Sequence, residues 1–179
     1  KAETPGPMKD EKLTPRITET AKNLWYIYVG LNIACTLSFW MAGMSFFDAI
    51  CHSFATIALG GFSTHDASIG YFQSPKIELI AGFFSILAAV NFALYFLAWR
   101  SRSLKAIFYD AEFQFCMMVF TGIIIAACSY LYISGKFLLW ESIYHGFFQA
   151  ASIITDNGLV TAGYPSDWPL FVPLLLLLG

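Results

Sequence analysis

Three long apolar runs without a charged residue decide what this chain can fold into. They cover residues 23–47, 79–99 and 113–135. An α-helix needs about 20 residues to cross a hydrocarbon layer roughly 30 Å thick, and each run is long enough. The sequence therefore predicts an all-α integral membrane protein that crosses the bilayer several times.

The charge content supports this class and excludes others. Only 12% of the residues are charged and 58% are hydrophobic, whereas a soluble domain carries about twice that charge. A soluble enzyme, a nucleic-acid-binding module and a secreted disulfide scaffold are therefore excluded, and the lipid bilayer is the expected environment. The four cysteines lie in apolar segments without CxxC spacing, so we expect them to be small packing residues.

The basic residues predict the orientation in the membrane. Eight of the ten Lys and Arg fall at 1–22 and 100–105, and such clusters stay on the cytoplasmic side. We expect a polar cytoplasmic loop at 1–22, a first repeat at 23–99, a basic cytoplasmic linker at 100–112 and a second repeat at 113–179. The second repeat is truncated, because its last apolar run, 168–179, is too short to span the membrane.

Both predicted outer stretches begin with a helix that is too short to cross the membrane. These apolar helical runs, residues 48–58 and 141–153, lead directly into glycine-bearing sequence. Non-helical backbone at membrane depth costs several kcal/mol for each unpaired group, unless it is buried in protein or lines a water-filled path. The chain thus predicts two parallel repeats of helix, half-helix, irregular loop and helix.

Two alignments of the repeats compete. Aligning Asp48 and His52 with Glu141 and His145 gives an offset of 93 residues, whereas aligning Gly61 with Gly158 gives 97. The difference is about one helical turn. Either the second half-helix is one turn longer than the first, or the histidine match is fortuitous.

The two irregular loops are the candidate cation site. A half-helix aims its partially negative C-terminus into the membrane, and backbone carbonyls beyond it can replace the hydration shell of a monovalent cation. We define loop one as residues 58–64 and loop two as residues 155–161. The candidate filter residues are Ala58, Leu59, Gly60, Gly61 and Phe62 in loop one and Thr155, Asp156, Asn157, Gly158 and Leu159 in loop two.

Asp156 has two possible roles in loop two, since it could attract a cation or point behind the loop and hold it. The second role is slightly favoured. The alternative for both loops is an outer cap in which they merely turn. Asn91, in the second apolar run, and the small residues Gly30 and Gly122 are expected to pack helices closely.

The two half-helices and loops resemble the pore loops of the TrkH/KtrB superfamily of potassium transporters, and more closely those of its bacterial TrkH members. The resemblance lies in Ala-Thr-Ile-Ala-Leu-Gly-Gly-Phe-Ser-Thr-His-Asp at 55–66 and Phe-Gln-Ala-Ala-Ser-Ile-Ile-Thr-Asp-Asn-Gly-Leu at 148–159. It implies four parallel helix, pore-helix, filter and helix repeats in one polypeptide, of which this chain is the second and most of the third.

The resemblance also implies a function. We expect gated potassium uptake across the inner membrane, with K+ held at the backbone carbonyls of Leu59, Gly60, Asp156 and Asn157. A homodimer and a cytoplasmic, nucleotide-binding regulatory ring similar to TrkA are the expected partners. Neither loop carries the Thr-Val-Gly-Tyr-Gly of potassium channels, so fewer carbonyl rings and weaker discrimination against sodium are expected.

The outer histidines and acids offer other chemistry. His65 and Asp66 are expected to be solvated residues of an outer vestibule, where Asp66 would concentrate cations. Asp48 and His52, like Glu141 and His145, have the i, i+4 spacing of metal ligands, but no third ligand is evident. An integral membrane enzyme that uses these residues, or a structural subunit that transports nothing, is the alternative. We expect no enzyme, because no Gly-x-Ser-x-Gly or His-Glu-x-x-His motif is present.

Overall fold

The structure, a computed structural model, describes residues 10–103, 105–135 and 137–161 and has no strand within these ranges. This confirms the all-α prediction. A 3-10 helix, Ser68–Phe72, lies between the second and third α-helices. The α-helices of the described ranges are α1 Asp10–Met41, α2 Phe46–Ile57, α3 Pro75–Ala89, α4 Phe92–Ser101, α5 Lys105–Phe108, α6 Ala111–Ile133 and α7 Leu139–Ile154.

Two of these helices are long and apolar enough to cross a membrane by themselves. They are α1, over Thr18–Met41, and α6, over Ala111–Ile133. The helices α3 and α4, with 15 and 10 residues, are long enough only as a pair, and this pair is bent by 82° at a short break. The half-helices predicted after the first and third apolar runs are present as α2 and α7, with 12 and 16 residues.

The second apolar run is broken, so the prediction of one continuous helix over 79–99 is wrong. Val90 is extended, with ψ 138°. Asn91 caps α4 instead of packing helices together, since its side-chain oxygen accepts a hydrogen bond from the Ala93 N–H at 3.0 Å. The Tyr95 hydroxyl donates to the Leu87 carbonyl at 2.7 Å. The first bond satisfies an N–H at the start of α4. The second adds to the bond that the Leu87 carbonyl accepts from the Val90 N–H at 3.3 Å.

The first helix begins earlier than predicted. It starts at Asp10, so residues 10–22 are helical where the sequence predicted a polar loop. Once a helix has formed, each further residue adds one hydrogen bond, so a polar segment can extend it without an apolar face. Residues 1–9 of that predicted loop and the final apolar run at 168–179 lie outside the described residues.

One apolar core joins the two repeats. It contains residues of α1, α2, α3 and α7, among them the fully buried Cys35, Phe39 and Phe148. A smaller cluster packs α6 on α7 around Leu131 and Ala150. All four cysteines are free. Cys35 is buried as expected of a packing residue, Cys51 and Cys128 are partly buried, and Cys116 is exposed.

Glycine allows close approach at Gly146 of α7, but not at the two glycines named from the sequence. A Cβ atom at Gly146 would lie 2.8 Å from the Cys128 sulfur and 3.0 Å from its Cα. At Gly30 and Gly122 such an atom would meet no described atom within 4 Å. The close contact between α6 and α7 therefore depends on Gly146.

We predict that Gly146→Ala lowers the stability of the protein relative to Gly122→Ala by about 1–3 kcal/mol, the usual cost of overpacking. Both substitutions gain the same helix propensity, so their difference reports the contact with Cys128. Thermal unfolding of the protein purified in detergent measures it. Equal melting temperatures for the two variants would contradict the close packing of α6 on α7.

Candidate ion-binding site

The half-helices α2 and α7 end in the same way. The residue after each helix, Ala58 or Thr155, has φ near −85° and ψ near 0°, with values of −83° and −2° for Ala58 and −87° and 1° for Thr155. The next residue is left-handed in both loops, with φ 52° at Leu59 and 58° at Asp156. Loop one and loop two therefore follow the same path where they leave their helices.

The same left-handed conformation returns two residues later. It occurs at Gly61, with φ 67°, and at Gly158, with φ 77°. Glycine adopts this conformation without the penalty that a Cβ atom imposes. The loops thus match at an offset of 97, while the helix starts at Phe46 and Leu139 match at 93. The half-helix α7 is therefore about one turn longer than α2, with 16 residues against 12. This is the first of the two explanations for the competing alignments.

Each loop turns its first N–H groups back onto its own half-helix. In loop one, the N–H of Leu59 donates to Thr56 and that of Gly60 to Ala55, at 3.3 and 2.8 Å. In loop two, the N–H groups of Asp156 and Asn157 donate to Ile153 and Ser152, at 3.0 and 2.8 Å. These bonds satisfy the free carbonyls of the last helical turn.

The direction of the loop carbonyls follows from these bonds. In a planar trans peptide, the carbonyl of one residue points opposite to the N–H of the next. The carbonyls of Ala58 and Leu59 therefore point away from α2. Those of Thr155 and Asp156 point away from α7, and the 3.4 Å bond from the Gly158 N–H to Ser152 gives Asn157 the same direction.

The two loops meet at the glycines that the sequence singled out. A Cβ atom at Gly61 would overlap the carbonyl oxygen of Asn157 and lie 3.3 Å from the Gly158 Cα. A Cβ atom at Gly158 would lie 3.8 Å from the Gly61 Cα. Gly60, Asp156 and Gly158 are exposed at this meeting point. The structure thus brings the middle of both candidate loops to one accessible place.

The outer end of loop one is held by a carboxylate. Asp48, in the first turn of α2, accepts hydrogen bonds from the hydroxyls of Thr64 at 2.6 Å and Ser45 at 2.7 Å. Its oxygen also lies 3.3 Å from Nε2 of His65. The hydrogen bonds from Thr64 and Ser45 lower the pKa of Asp48, because they stabilise the charged form. Asp48 therefore fixes the chain that leaves loop one.

His65 is not the solvated vestibule residue that the sequence predicted. Its ring stacks on Tyr71, with 3.7 Å between ring centroids, and it is only partly exposed. Asp66 is exposed, as expected. His65 is less exposed than predicted because its ring contacts both Asp48 and Tyr71.

The i, i+4 pairs do not form metal sites. The ring nitrogens of the buried His52 are both within hydrogen-bonding distance of protein groups, the Asp48 carbonyl at 2.8 Å and the Ser63 hydroxyl at 2.9 Å. Nδ1 of His145 lies 2.8 Å from the buried carboxylate of Glu78 on α3. Within the described ranges, no group of three potential ligands is placed to hold a metal ion.

In loop two, the side chain that points behind the loop is Asn157 and not Asp156. The Asn157 side chain is 1% exposed, and its amide nitrogen donates to the Ser85 hydroxyl of α3 at 2.6 Å. Asp156 is exposed. The structural role considered for Asp156 therefore falls to its neighbour.

Two other candidate filter residues differ from the rest. The Leu159 carbonyl accepts a hydrogen bond from the Ser152 hydroxyl at 2.6 Å, and its side chain is fully buried. This carbonyl faces α7, so Leu159 does not belong with the outward-directed carbonyls. The Phe62 side chain is 80% exposed.

Several residues of α3 that contact the second repeat could not be found from the motifs. Glu78, Gly82 and Ser85 follow one face of α3 at i, i+4 and i+7 and are all buried against the second repeat. The amide of Gln149, on α7, donates to the Thr161 hydroxyl at the end of loop two at 3.2 Å. The signal that could have identified the α3 residues is the row of polar and small residues along one face of an otherwise apolar helix.

The outer 3-10 helix also binds loop two. The N–H of Val160 donates to the Ser68 hydroxyl at 3.3 Å, and its carbonyl accepts from the N–H of Gly70 at 3.2 Å. A Cβ atom at Gly70 would overlap the Thr161 carbonyl. The first repeat therefore contacts loop two from α3, from loop one and from this outer turn.

Two half-helices with matched, touching glycine loops define an α-helical membrane protein built from pore-helix repeats. The family model TrkH, described as a cation transport protein, matches residues 1–178. The chain therefore belongs to the TrkH family.

Known relatives agree with this assignment. The chain is 49% identical to the Trk system potassium uptake protein TrkH of Halomonas elongata over 98% of its length, and 45% identical to TrkG of Escherichia coli K12 over 99%. The crystal structure of the potassium transporter TrkH from Vibrio parahaemolyticus matches 91% of the chain with a TM-score of 0.85 and 46% identity. The chain spans 36% of each of the two relatives and 35% of the crystallised chain.

We predict that Gly61→Ala disturbs loop two, whereas Gly135→Ala does not. The two glycines have nearly the same φ, 67° and 68°, but only Gly61 has neighbours that a methyl group would meet. Hydrogen–deuterium exchange of peptides covering residues 155–161 should rise in the Gly61 variant alone. Unchanged exchange in a folded Gly61→Ala protein would contradict the contact between the loops.

Proposed function

We propose that this chain forms part of a potassium uptake pathway and supplies two of the loops whose backbone carbonyls bind the permeating ion. The observation that carries the proposal is the meeting of two matched loops whose carbonyls point away from their half-helices. Such carbonyls can replace the water shell of a monovalent cation. K+ is the proposed ion, because the relatives are named potassium uptake proteins.

The proposed ligands are backbone oxygens. Leu59, Asp156 and Asn157 are supported by the bonds that fix their peptide planes. Gly60 lies between two left-handed residues and completes the set that the sequence predicted. The C-terminal ends of α2 and α7 add a partial negative charge beside these oxygens.

The charge around the loops also suits a cation. Asp66 and Asp156 are both exposed, and the hydrogen bonds to Asp48 favour its charged form. Acidic groups at an entrance raise the local concentration of cations. These carboxylates would attract the ion, and the carbonyls would bind it.

The complete transporter would contain four such repeats, of which this chain would be the second and most of the third. The share of its relatives that the chain spans agrees with this. We further propose an inner-membrane homodimer with the basic flanks in the cytoplasm, where a nucleotide-binding ring similar to TrkA would control gating. An enzymatic role has less support, because His52, His65 and His145 all lie in structural contacts.

In the complete transporter, we predict that Gly158→Ser reduces the permeability of rubidium relative to sodium several-fold. A serine at φ 77° is strained, and its Cβ would lie 3.8 Å from the Gly61 Cα. Radiotracer flux into proteoliposomes measures the ratio. Gly122→Ser is the matched control, since Gly122 has open space around it.

Three outcomes distinguish the alternatives. An unchanged ratio with normal insertion would remove Gly158 from the ion path. Absence of flux in the unmodified transporter would favour a structural subunit. Loss of all activity in His65→Ala and Asp66→Ala, with Gly158→Ser fully active, would favour an enzyme.

A further inference from the structure

The bond between Ser85 and Asn157 connects α3 of the first repeat to loop two of the second. The residues are 72 positions apart, and both side chains are buried, with 0% and 1% exposure. The amide nitrogen lies 2.6 Å from the hydroxyl oxygen. Within the described ranges, this is the only hydrogen bond of the Asn157 side chain, because its amide oxygen has no partner there.

The direction of this bond is fixed by a second one. The Ser85 hydroxyl donates its single hydrogen to the Ala81 carbonyl at 2.8 Å. Its oxygen can therefore only accept from Asn157, which must present its NH2 group. Asn157 thus donates to Ser85, and Ser85 donates to the Ala81 carbonyl of α3. These two bonds hold the Asn157 side chain in one orientation.

The main chain of Asn157 is held at two further points. Its N–H donates to Ser152 of α7 at 2.8 Å. Its carbonyl oxygen lies against Gly61 of loop one. One residue therefore joins α3, α7 and loop one, and the position of its carbonyl depends on all three contacts.

Loop one has no equivalent of this bond. The residue that matches Asn157 at the offset of 97 is Gly60, which has no side chain. The side-chain bonds that hold loop one, from Asp48 and His52, reach Ser63 and Thr64 farther along the chain. The spacing of the two loops at Gly61 is therefore set mainly from loop two.

We propose that Ser85 is a positioning residue for ion selectivity. It fixes the side chain of Asn157 and thereby the position of the Asn157 carbonyl, which contacts Gly61 of loop one. This inference rests on the proposed function, in which these carbonyls bind the permeating cation. In this proposal Ser85 acts only through Asn157, because its buried hydroxyl is bonded to Ala81 and Asn157. Its effect should appear in the choice between ions.

The test compares Ser85→Ala with Ser142→Ala in the complete transporter, reconstituted in proteoliposomes. Ser142 is an equally buried serine near the start of α7, 13 residues before loop two begins. Uptake of rubidium and sodium is measured over a range of concentrations. An unsatisfied buried donor is costly, so we expect the preference for rubidium to fall by roughly threefold or more in Ser85→Ala only.

Further variants separate positioning from a general loss of structure. Ser85→Thr keeps the hydroxyl and should retain most of the preference, whereas Asn157→Ala should lower it. If both residues act through one bond, the double variant Ser85→Ala/Asn157→Ala should be no less selective than Asn157→Ala. If the double variant loses as much selectivity as the product of the two single losses, the two residues act independently and the proposal is overturned. If Ser85→Ala fails to accumulate, Ser85→Cys provides a weaker acceptor of similar size and should also lower the preference.

The two proposals fail in different ways. Absence of rubidium flux in the unmodified transporter would overturn the proposed function. Normal flux together with an unchanged preference in Ser85→Ala or Ser85→Cys would overturn the role of Ser85 alone.

Discussion

Backbone groups that leave a helix within a membrane must find partners, and this requirement organises the structure. The first N–H groups of each loop return to the last turn of their own half-helix, as those of Gly60 and Asn157 do. Because peptide units are planar, the corresponding carbonyls point outward. The same bonds that end the helix therefore create a set of oxygens without helical partners, for which we propose a cation as the ligand.

The two repeats are not equivalent in how they hold these oxygens. Loop one is fixed at its outer end, through Asp48 and His52 of its own half-helix. Loop two is fixed from the first repeat, through Ser85 of α3 and Ser68 of the outer 3-10 helix. The second loop therefore takes its position from the first repeat as well as from Ser152 and Gln149 of α7, and one apolar core joins α1, α2, α3 and α7.

The sequence predicted the helices, the half-helices and the glycines at which the loops meet, because apolar run length and glycine position are local signals. The break at Asn91 was missed, since an apolar run has the same composition whether or not it bends. The structural role that the sequence slightly favoured for Asp156 belongs to Asn157, and the Leu159 carbonyl faces α7 instead of joining the filter. Those details depend on contacts such as that with Ser85, which lie far away in sequence.

The central claim is that backbone oxygens of both loops bind one cation between them. Anomalous diffraction from crystals of the complete transporter, grown in rubidium or thallium, tests it most directly. The account predicts an anomalous peak between the loops, within coordination distance of the carbonyls of Leu59, Asp156 and Asn157. A peak at side-chain carboxylates alone, or none near Gly61 and Gly158, would contradict it.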